Sequence, residues 1–339
     1  MDVLLIKTSS MGDIVHTFPA LTDAARALPG IRFHWVVEEA FADLAARHPS
    51  VVEVLPCALR RWRKSPLRSR KEWRAFKQRL KAERYDAVID AQGLLKSAFI
   101  TRLAQGTKFG FDKNSAREAW SARWLDQPQA VAKGQHAIER VRQLFAQSLG
   151  YAAPASVPDY GLARQQQPAS LGAGSQLIFF HGTTWASKHW PEAYWRELAA
   201  TAVQAGMKVL LPWGNDEEQA RAERLADGLD GVNVLPRLSL SALFDLLLTL
   251  DGFVAVDTGL AHLAAAAGLA GVALYGPTDP ALTGVIGTRA KSLSAVFPCA
   301  PCVQEKCTFK EAAPVFPACF NRLPPAQVWQ QLLEQSRHD

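Results

Sequence analysis

The usual spellings of a phosphate-binding loop are missing from this 339-residue chain. After the first apolar run, Val3 to Ile6, comes "KTSSMGDIVHTFPAL" (residues 7–21), which predicts a strand end, a tight loop and the start of a helix. A dinucleotide fingerprint needs three glycines there, and a P-loop needs Gly-Lys-Ser/Thr. Gly12 stands alone, and the expected helix start carries an acid, Asp13. An NAD-dependent dehydrogenase, which only the α/β pattern favours, therefore lacks its fingerprint. Long apolar runs are missing too: "LFDLLLTLDGFVAV" is broken by Asp245 and Asp251 before it reaches membrane-span length. The N-terminus lacks the basic-then-apolar pattern of a signal peptide, so a cytoplasmic protein is expected. No internal repeat is evident.

With 48% hydrophobic and 21% charged residues, the chain is globular and long enough for two packed cores. Short β-rich runs alternate with amphipathic stretches: "VLLIK", "FHWVVE" and "YDAVIDA", then "QLIFFHG", "KVLLPWG", "GFVAVDTG" and "GVALYGP". That alternation predicts parallel α/β architecture. Between the two sets, residues 152–176 are rich in Ala, Pro, Gln, Ser and Gly and predict a linker. The expected organisation is one domain over 1–160, a second over 175–322, and a closing helix in 323–339. That helix is started by Pro324 and Pro325, with Val328, Trp329 and Leu332 on one face.

Polar chemistry gathers at three strand ends of the second half. "FVAVDTGLAHLAAAAG" places Asp257, Thr258 and Gly259 before an alanine-rich helix, whose free N–H groups and dipole suit a pyrophosphate. "LIFFHG" runs into Thr183 and Thr184, with Lys188 shortly after, and "LLPWGNDEEQA" puts Glu217 and Glu218 where a carboxylate can accept from ribose hydroxyls. Each segment alone is equally well explained by helix capping, but three at one sheet edge favour a nucleotide-sugar site. The first-domain loop then faces the reacting sugar. Asp13 becomes the general base toward an acceptor hydroxyl, and Gly12 keeps the backbone thin. A helix N-terminus weakens a carboxylate as a base, and partial burial is expected to offset this. Alternatively, Asp13 only caps its helix.

Net charge of +6 points to an anionic partner, whether nucleic acid, anionic lipid or a phosphorylated small molecule. Basic residues crowd "RRWRKSPLRSRKEWRAFKQRLKAER" (60–84), where Trp73, Phe76 and Leu80 recur at helical spacing and Arg60, Arg61, Arg63 and Lys64 precede them in an expected loop. Nucleic-acid binding would rest on this segment alone, without a known motif. Four of the five cysteines, Cys299, Cys302, Cys307 and Cys319, form a C-x2-C-x4-C-x11-C segment. In a reducing compartment such thiols can close a structural metal site; free thiols in a proline-rich loop are the alternative.

In order, "KTSSMGDIVHTFPALTDA", "RRWRK", "YDAVIDAQGLLKSA", "KHWPEAYW", "PWG" and "VDTGLAHLAAA" resemble the type I lipopolysaccharide heptosyltransferases, inverting enzymes of glycosyltransferase family 9, over most of the chain. The resemblance implies a GT-B fold, two Rossmann-like domains facing each other across a cleft. It implies transfer of L-glycero-D-manno-heptose from ADP-heptose to the inner Kdo of Kdo2-lipid A, by a monomer in peripheral contact with the cytoplasmic face of the inner membrane. No nucleic acid and no catalytic metal or other cofactor is implied. By motif, Asp13 is the catalytic base, and Thr183, Thr184, Lys188, Glu218, Asp257, Thr258, Gly259 and His262 line the donor site. Arg60, Arg61, Arg63 and Lys64 meet the acceptor's phosphates and carboxylates. The cysteine segment departs from the type I pattern.

Overall fold

The computed structural model describes residues 1–162 and 170–337. The middle of the expected linker (163–169) and the last two residues of the closing segment (338–339) lie outside the described residues. The chain divides into two compact units, Met1–Leu162 and Ala163–Asp339.

Each unit is built on one six-stranded parallel sheet. The first contains β1 (Asp2–Ile6), β2 (Arg32–Glu38), β3 (Val51–Cys57), β4 (Arg84–Asp90), β5 (Gln105–Phe111) and β6 (Gln127–Gln129), in the order β3-β2-β1-β4-β5-β6. The second contains β7 (Gln176–Phe180), β8 (Lys208–Leu211), β9 (Val232–Val234), β10 (Gly252–Val256), β11 (Ala270–Tyr275) and β12 (Ala290–Ser294), in the order β12-β11-β10-β7-β8-β9. Read from its other edge, the second order is the first one repeated. In each sheet the strand order reverses between the first and fourth strands, β1 beside β4 and β7 beside β10. Ligands of open parallel sheets bind outside the carboxyl ends of the strands at that reversal.

The central strands read as unbroken apolar runs because helices cover both faces. Val3 to Ile6 and Phe253 to Val256 are wholly buried. Gly271 on β11 lets Phe253 lie flat on the neighbouring strand, since a Cβ there would stand 2.2 Å from the ring. In the first unit the helix Phe18–Ala27, begun through Pro19, packs on the helix Ala137–Leu149. A buried pair joins the two, Arg142 Nε donating to Asp23 Oδ2 at 2.6 Å.

The closing helix spans Pro325–Ser336, with Val328 and Leu332 fully buried and Trp329 half-buried. It packs on β10, β11 and the helix Glu192–Gln204. Trp190 Nε1 fixes its approach by donating to the Leu323 carbonyl at 3.0 Å. No helix among the described residues is long and apolar enough to cross a membrane.

Candidate functional site

The loop after β1 turns at once into the short helix Met11–Val15, which carries Asp13 in its first turn. Asp13 Oδ2 accepts the Ser10 N–H at 2.9 Å and the Ser10 hydroxyl at 3.1 Å, so the carboxylate does cap its helix. Its other oxygen lies 3.4 Å from Lys7 Nζ and 3.4 Å from the Arg117 guanidinium. Burial pushes the carboxyl up, but Lys7, Arg117, the Ser10 N–H and His16 outweigh it and hold Asp13 far below the usual carboxylate range. The expectation that burial would restore its basicity is therefore corrected: the nearby cations win.

Neighbouring groups fix this loop. Lys7 is buried and donates to the Ala91 carbonyl at 3.0 Å; burial pulls its amine down, and Asp13 restores only part of the loss. Gln92, just past β4, accepts the Thr8 and Ser9 N–H groups through one oxygen, at 3.0 and 3.3 Å. Lys96 Nζ donates to Ser9 Oγ at 3.0 Å. Lys7, Asp13, His16, Gln92, Arg117 and Arg140 line a small polar cavity at the β1/β4 reversal. Of these only Asp13 was expected from sequence. Lys7 had a signal, a cation closing an apolar strand, whereas Arg117 arrives from a distant loop with none.

At the β7/β10 reversal the second unit gathers the three polar loops. Lys188 Nζ lies 2.7 Å from Asp257 Oδ2, and Thr278, from the turn after β11, donates to the same oxygen at 2.6 Å. Thr183 Oγ1 donates to the Asp257 carbonyl at 3.0 Å, and Thr184 is exposed beside it. Lys188 also stands 4.7 Å from the centre of the Trp185 ring. The helix Gly259–Ala266 begins here, with Thr258 at its N-cap position but without a side-chain capping bond, and with His262 buried as its fourth residue. Of its first-turn N–H groups, that of Ala261 donates to the Thr258 carbonyl at 3.1 Å, and the positive dipole end of the helix favours an anion.

Glu218, in the first turn of the helix Asp216–Ala226, accepts the Gly214 N–H at 2.8 Å. Its carboxylate lies over Gly182, where a Cβ would stand 2.8 Å from Oε1. Glu217 points to solvent with its side chain 87% exposed, so of the two acids Glu218 is the one at the site. Thr278 was missed in the sequence; "GPTDP" after β11 was its only local signal.

The basic stretch differs from its expected form. Arg60, Arg61, Arg63 and Lys64 lie on a short helix, Leu59–Lys64, not in a loop, because Trp62 anchors the segment against Trp73 and Phe76. Arg61 is taken up by two acids, pairing with Glu39 at 3.0 Å and Glu72 at 2.9 Å. Arg60, Arg63 and Lys64 are exposed, and among the described residues none of the three is in an ion pair. The expected amphipathic helix follows as Arg70–Ala82, burying Phe76 and Leu80.

The four clustered cysteines are free thiols that line one small pocket of the second unit. Cys57 is buried in the first unit's core, where burial pushes its thiol up to about 12.

The model of glycosyltransferase family 9 (heptosyltransferase) matches residues 73–313. The chain is 53% identical to lipopolysaccharide heptosyltransferase 1 of Pseudomonas aeruginosa, over 98% of this chain and 97% of the relative. Among solved structures, E. coli heptosyltransferase WaaC with ADP is similar at a TM-score of 0.83 and 48% identity, over 87% of this chain and 93% of that one. The same E. coli protein with ADP-2-deoxy-2-fluoro heptose gives a TM-score of 0.83 at 42% identity, over 98% and 99%.

Proposed function

Because this chain belongs to glycosyltransferase family 9, the heptosyltransferases, we propose that it moves L-glycero-D-manno-heptose from ADP-heptose to the inner Kdo of Kdo2-lipid A, with inversion at the anomeric carbon. The second unit binds the donor. The diphosphate lies at the start of the helix Gly259–Ala266 with Lys188 beside it, Thr183 and Thr184 add hydroxyls, and Glu218 takes the ribose. Arg60, Arg63 and Lys64 of the first unit meet the acceptor's anionic groups, leaving Arg61 to brace their helix.

Asp13 takes the proton from the acceptor hydroxyl as that oxygen bonds to the anomeric carbon. The carbon–oxygen bond to ADP breaks on the opposite face, its electron pair leaves with ADP, and Lys188 with the helix start meets the new charge. These groups do the work a divalent ion would do, so turnover persists in EDTA. An acceptor anion that draws Arg117 aside removes one of the charges depressing Asp13. An anionic lipid acceptor places the enzyme, as a monomer, in peripheral contact with the cytoplasmic face of the inner membrane.

The observation that carries this reading is the meeting of an ammonium, two threonines and a helix start at the β7/β10 reversal. The test is mass spectrometry of ADP-heptose and Kdo2-lipid A incubated with the purified protein. One added heptose with release of ADP is expected, and an unchanged acceptor under conditions where ADP binds refutes the assignment.

A further inference from the structure

The helix Leu95–Leu103 of the first unit reverses the usual pattern of a surface helix, which turns its apolar stripe inward and its polar face to water. Its inner side carries Ser97 and Thr101 beside Ala98 and Ile100, all fully buried. The two hydroxyls are satisfied there, Ser97 donating to Asp90 Oδ2 at 2.9 Å and Thr101 to the Ser97 carbonyl at 2.9 Å. Its outer side carries Leu95 and Phe99, one turn apart and 45% and 50% exposed, with Leu103 half-buried a turn further on. The apolar surface continues on both sides of the helix. Phe99 stacks on Trp73 with 5.9 Å between ring centres. The Leu95 N–H donates to the Glu118 carboxylate, which draws up the turn Ala119–Trp124 and its 68% exposed Trp120.

Cations border this surface. Lys96 and Arg102 are exposed on the helix itself. Arg70, Arg74, Lys77 and Lys81 recur every three or four residues on the neighbouring helix Arg70–Ala82, which sets them in one stripe beside Trp73. Arg79 lies off that stripe and pairs with Glu53. Residues 60–84 hold twelve lysines and arginines against two acids, and one of those acids, Glu72, is taken up by Arg61, so the field here is positive. On the far side, Trp120 stands at a groove of about 540 Å³ with Lys113 and Arg123. The one acid of that groove, Asp112, is turned to the Asn114 and Ser115 N–H groups.

We propose that this face of the first unit docks on an anionic phospholipid bilayer. Leu95, Phe99 and Trp120 enter the headgroup boundary, and Arg70, Arg74, Lys77, Arg102 and Arg123 meet lipid phosphates. Exposed aromatic and aliphatic side chains among cations suit such a surface, where apolar burial and attraction to anionic lipid add. A nucleic acid would use the same cations but offers Leu95 and Leu103 no apolar layer to enter. The face also adjoins the candidate site: Lys96 donates to Ser9 in the Asp13 loop at 3.0 Å, and Arg117, next to Glu118, lies 3.4 Å from Asp13. A lipid-linked acceptor would thus reach Asp13 without leaving the bilayer surface. That last step rests on the proposed function, whereas the docking stands on the face alone.

The test is co-sedimentation of the full chain with phosphatidylcholine vesicles that carry about 30% phosphatidylglycerol, beside vesicles of phosphatidylcholine alone. Salt-sensitive binding to the anionic vesicles and little to the neutral ones is expected. Phe99→Ser and Trp120→Ser should each weaken it roughly 3- to 15-fold, and Arg70→Gln, Arg74→Gln and Lys77→Gln by about fivefold apiece. Thermal melts and ADP affinity should stay at wild-type values, which separates lost docking from lost fold. Wild-type protein that ignores anionic vesicles overturns the proposal, as does binding that the folded variants retain in full. Variants that instead lose a dimer, or lose binding to single-stranded RNA while vesicle binding persists, assign the face to another partner and overturn it too. With the acceptor embedded in vesicles the variants should lose heptose transfer, and with an acyl-free Kdo acceptor they should keep it. No transfer to either acceptor by a wild-type protein that binds anionic vesicles refutes the proposed function and leaves the docking face standing.

Discussion

Replacing Asp13 by asparagine removes a charge with little change of shape, so its effects can be worked out group by group. The amide oxygen can still accept the Ser10 N–H that Asp13 accepts at 2.9 Å, so the helix start survives. In the proposed function the substitution removes the proton acceptor. A positioned base is worth roughly 10²- to 10⁴-fold in turnover, or about 3 to 5.5 kcal/mol of barrier. Lys7 is the structural casualty, since it is 5% exposed and keeps the neutral Ala91 carbonyl at 3.0 Å and the weaker attraction of the buried Asp90. Stranding one member of a fully buried ion pair costs about 3–5 kcal/mol. Lys7 escapes part of that by giving up its proton, because burial already pulls its amine down. A loss of about 1–3 kcal/mol, and a melting temperature lower by a few degrees, is expected. In the proposed function the donor is bound by the other unit, so its affinity should not move. Steady-state kinetics, ADP calorimetry and a thermal melt together separate these effects. Turnover within about threefold of wild type refutes the base, and a fall in ADP affinity parallel to turnover would place Asp13 in the donor site instead.

Lys188→Met should weaken ADP binding by roughly 10- to 150-fold, one charge-assisted bond, and Asp257→Asn should reproduce part of this without adding to it in the double variant; an unchanged dissociation constant by calorimetry refutes the donor assignment. Neutralising Arg60, Arg63 and Lys64 should raise the acceptor KM and leave ADP affinity alone, while Arg61→Ala should act mainly on stability, because its guanidinium is held by Glu39 and Glu72; equal KM effects at Arg61 and Arg63 contradict that division. Burial lowers His48 and His181 to about 4 each, so between about 6.5 and 4 the unfolded chain binds more protons and stability falls with falling pH. His48→Gln should flatten that fall by about 2 kcal/mol, read from denaturant melts at pH 7.5 and 5; an undiminished slope refutes it.

What the sequence revealed follows burial. The strands named from apolar runs, β1, β2, β4, β7, β8, β10 and β11, include the four at the two reversals, where helices cover both faces and composition cannot vary far. Those missed, β3, β5, β6, β9 and β12, lie toward the sheet edges and read as "VVEVLPC", "QGTKFGF", "QPQ", "VNV" and "AKSLS". Half-exposed or very short strands admit lysine, glutamine and proline, which removes the signal. At the site, residues on the turns that follow β1, β7 and β10 were legible because a strand end and a helix start bracket them. Gln92, Arg117 and Thr278 were not, since each reaches the site from another strand's loop and only the fold brings it there. The basic run misled for a different reason: its charges were visible, but only the fold shows that Arg61 is taken up by Glu72 of the run itself and by Glu39 upstream.

The two sheets share one strand order, and each places a lysine–aspartate pair at its reversal, yet the pairs differ in which member is the more exposed. In the first unit the lysine is the inner member, its side chain 7% exposed against 15% for Asp13. In the second the aspartate is inner, 9% exposed against 16% for Lys188. The inner group of a partly buried pair has the larger desolvation cost and depends on its partner and its hydrogen bonds, so it serves as the holder. The outer group keeps a face toward solvent and can exchange its partner for substrate. In the first unit this exposes a carboxylate, the group that can accept a proton. In the second it exposes an ammonium, the group that can meet a diphosphate. In the proposed function Asp257 is on this argument a positioning residue rather than a donor contact: it gathers Lys188 and Thr278 through one oxygen and Thr183 through its carbonyl, and would act on the nucleotide through them.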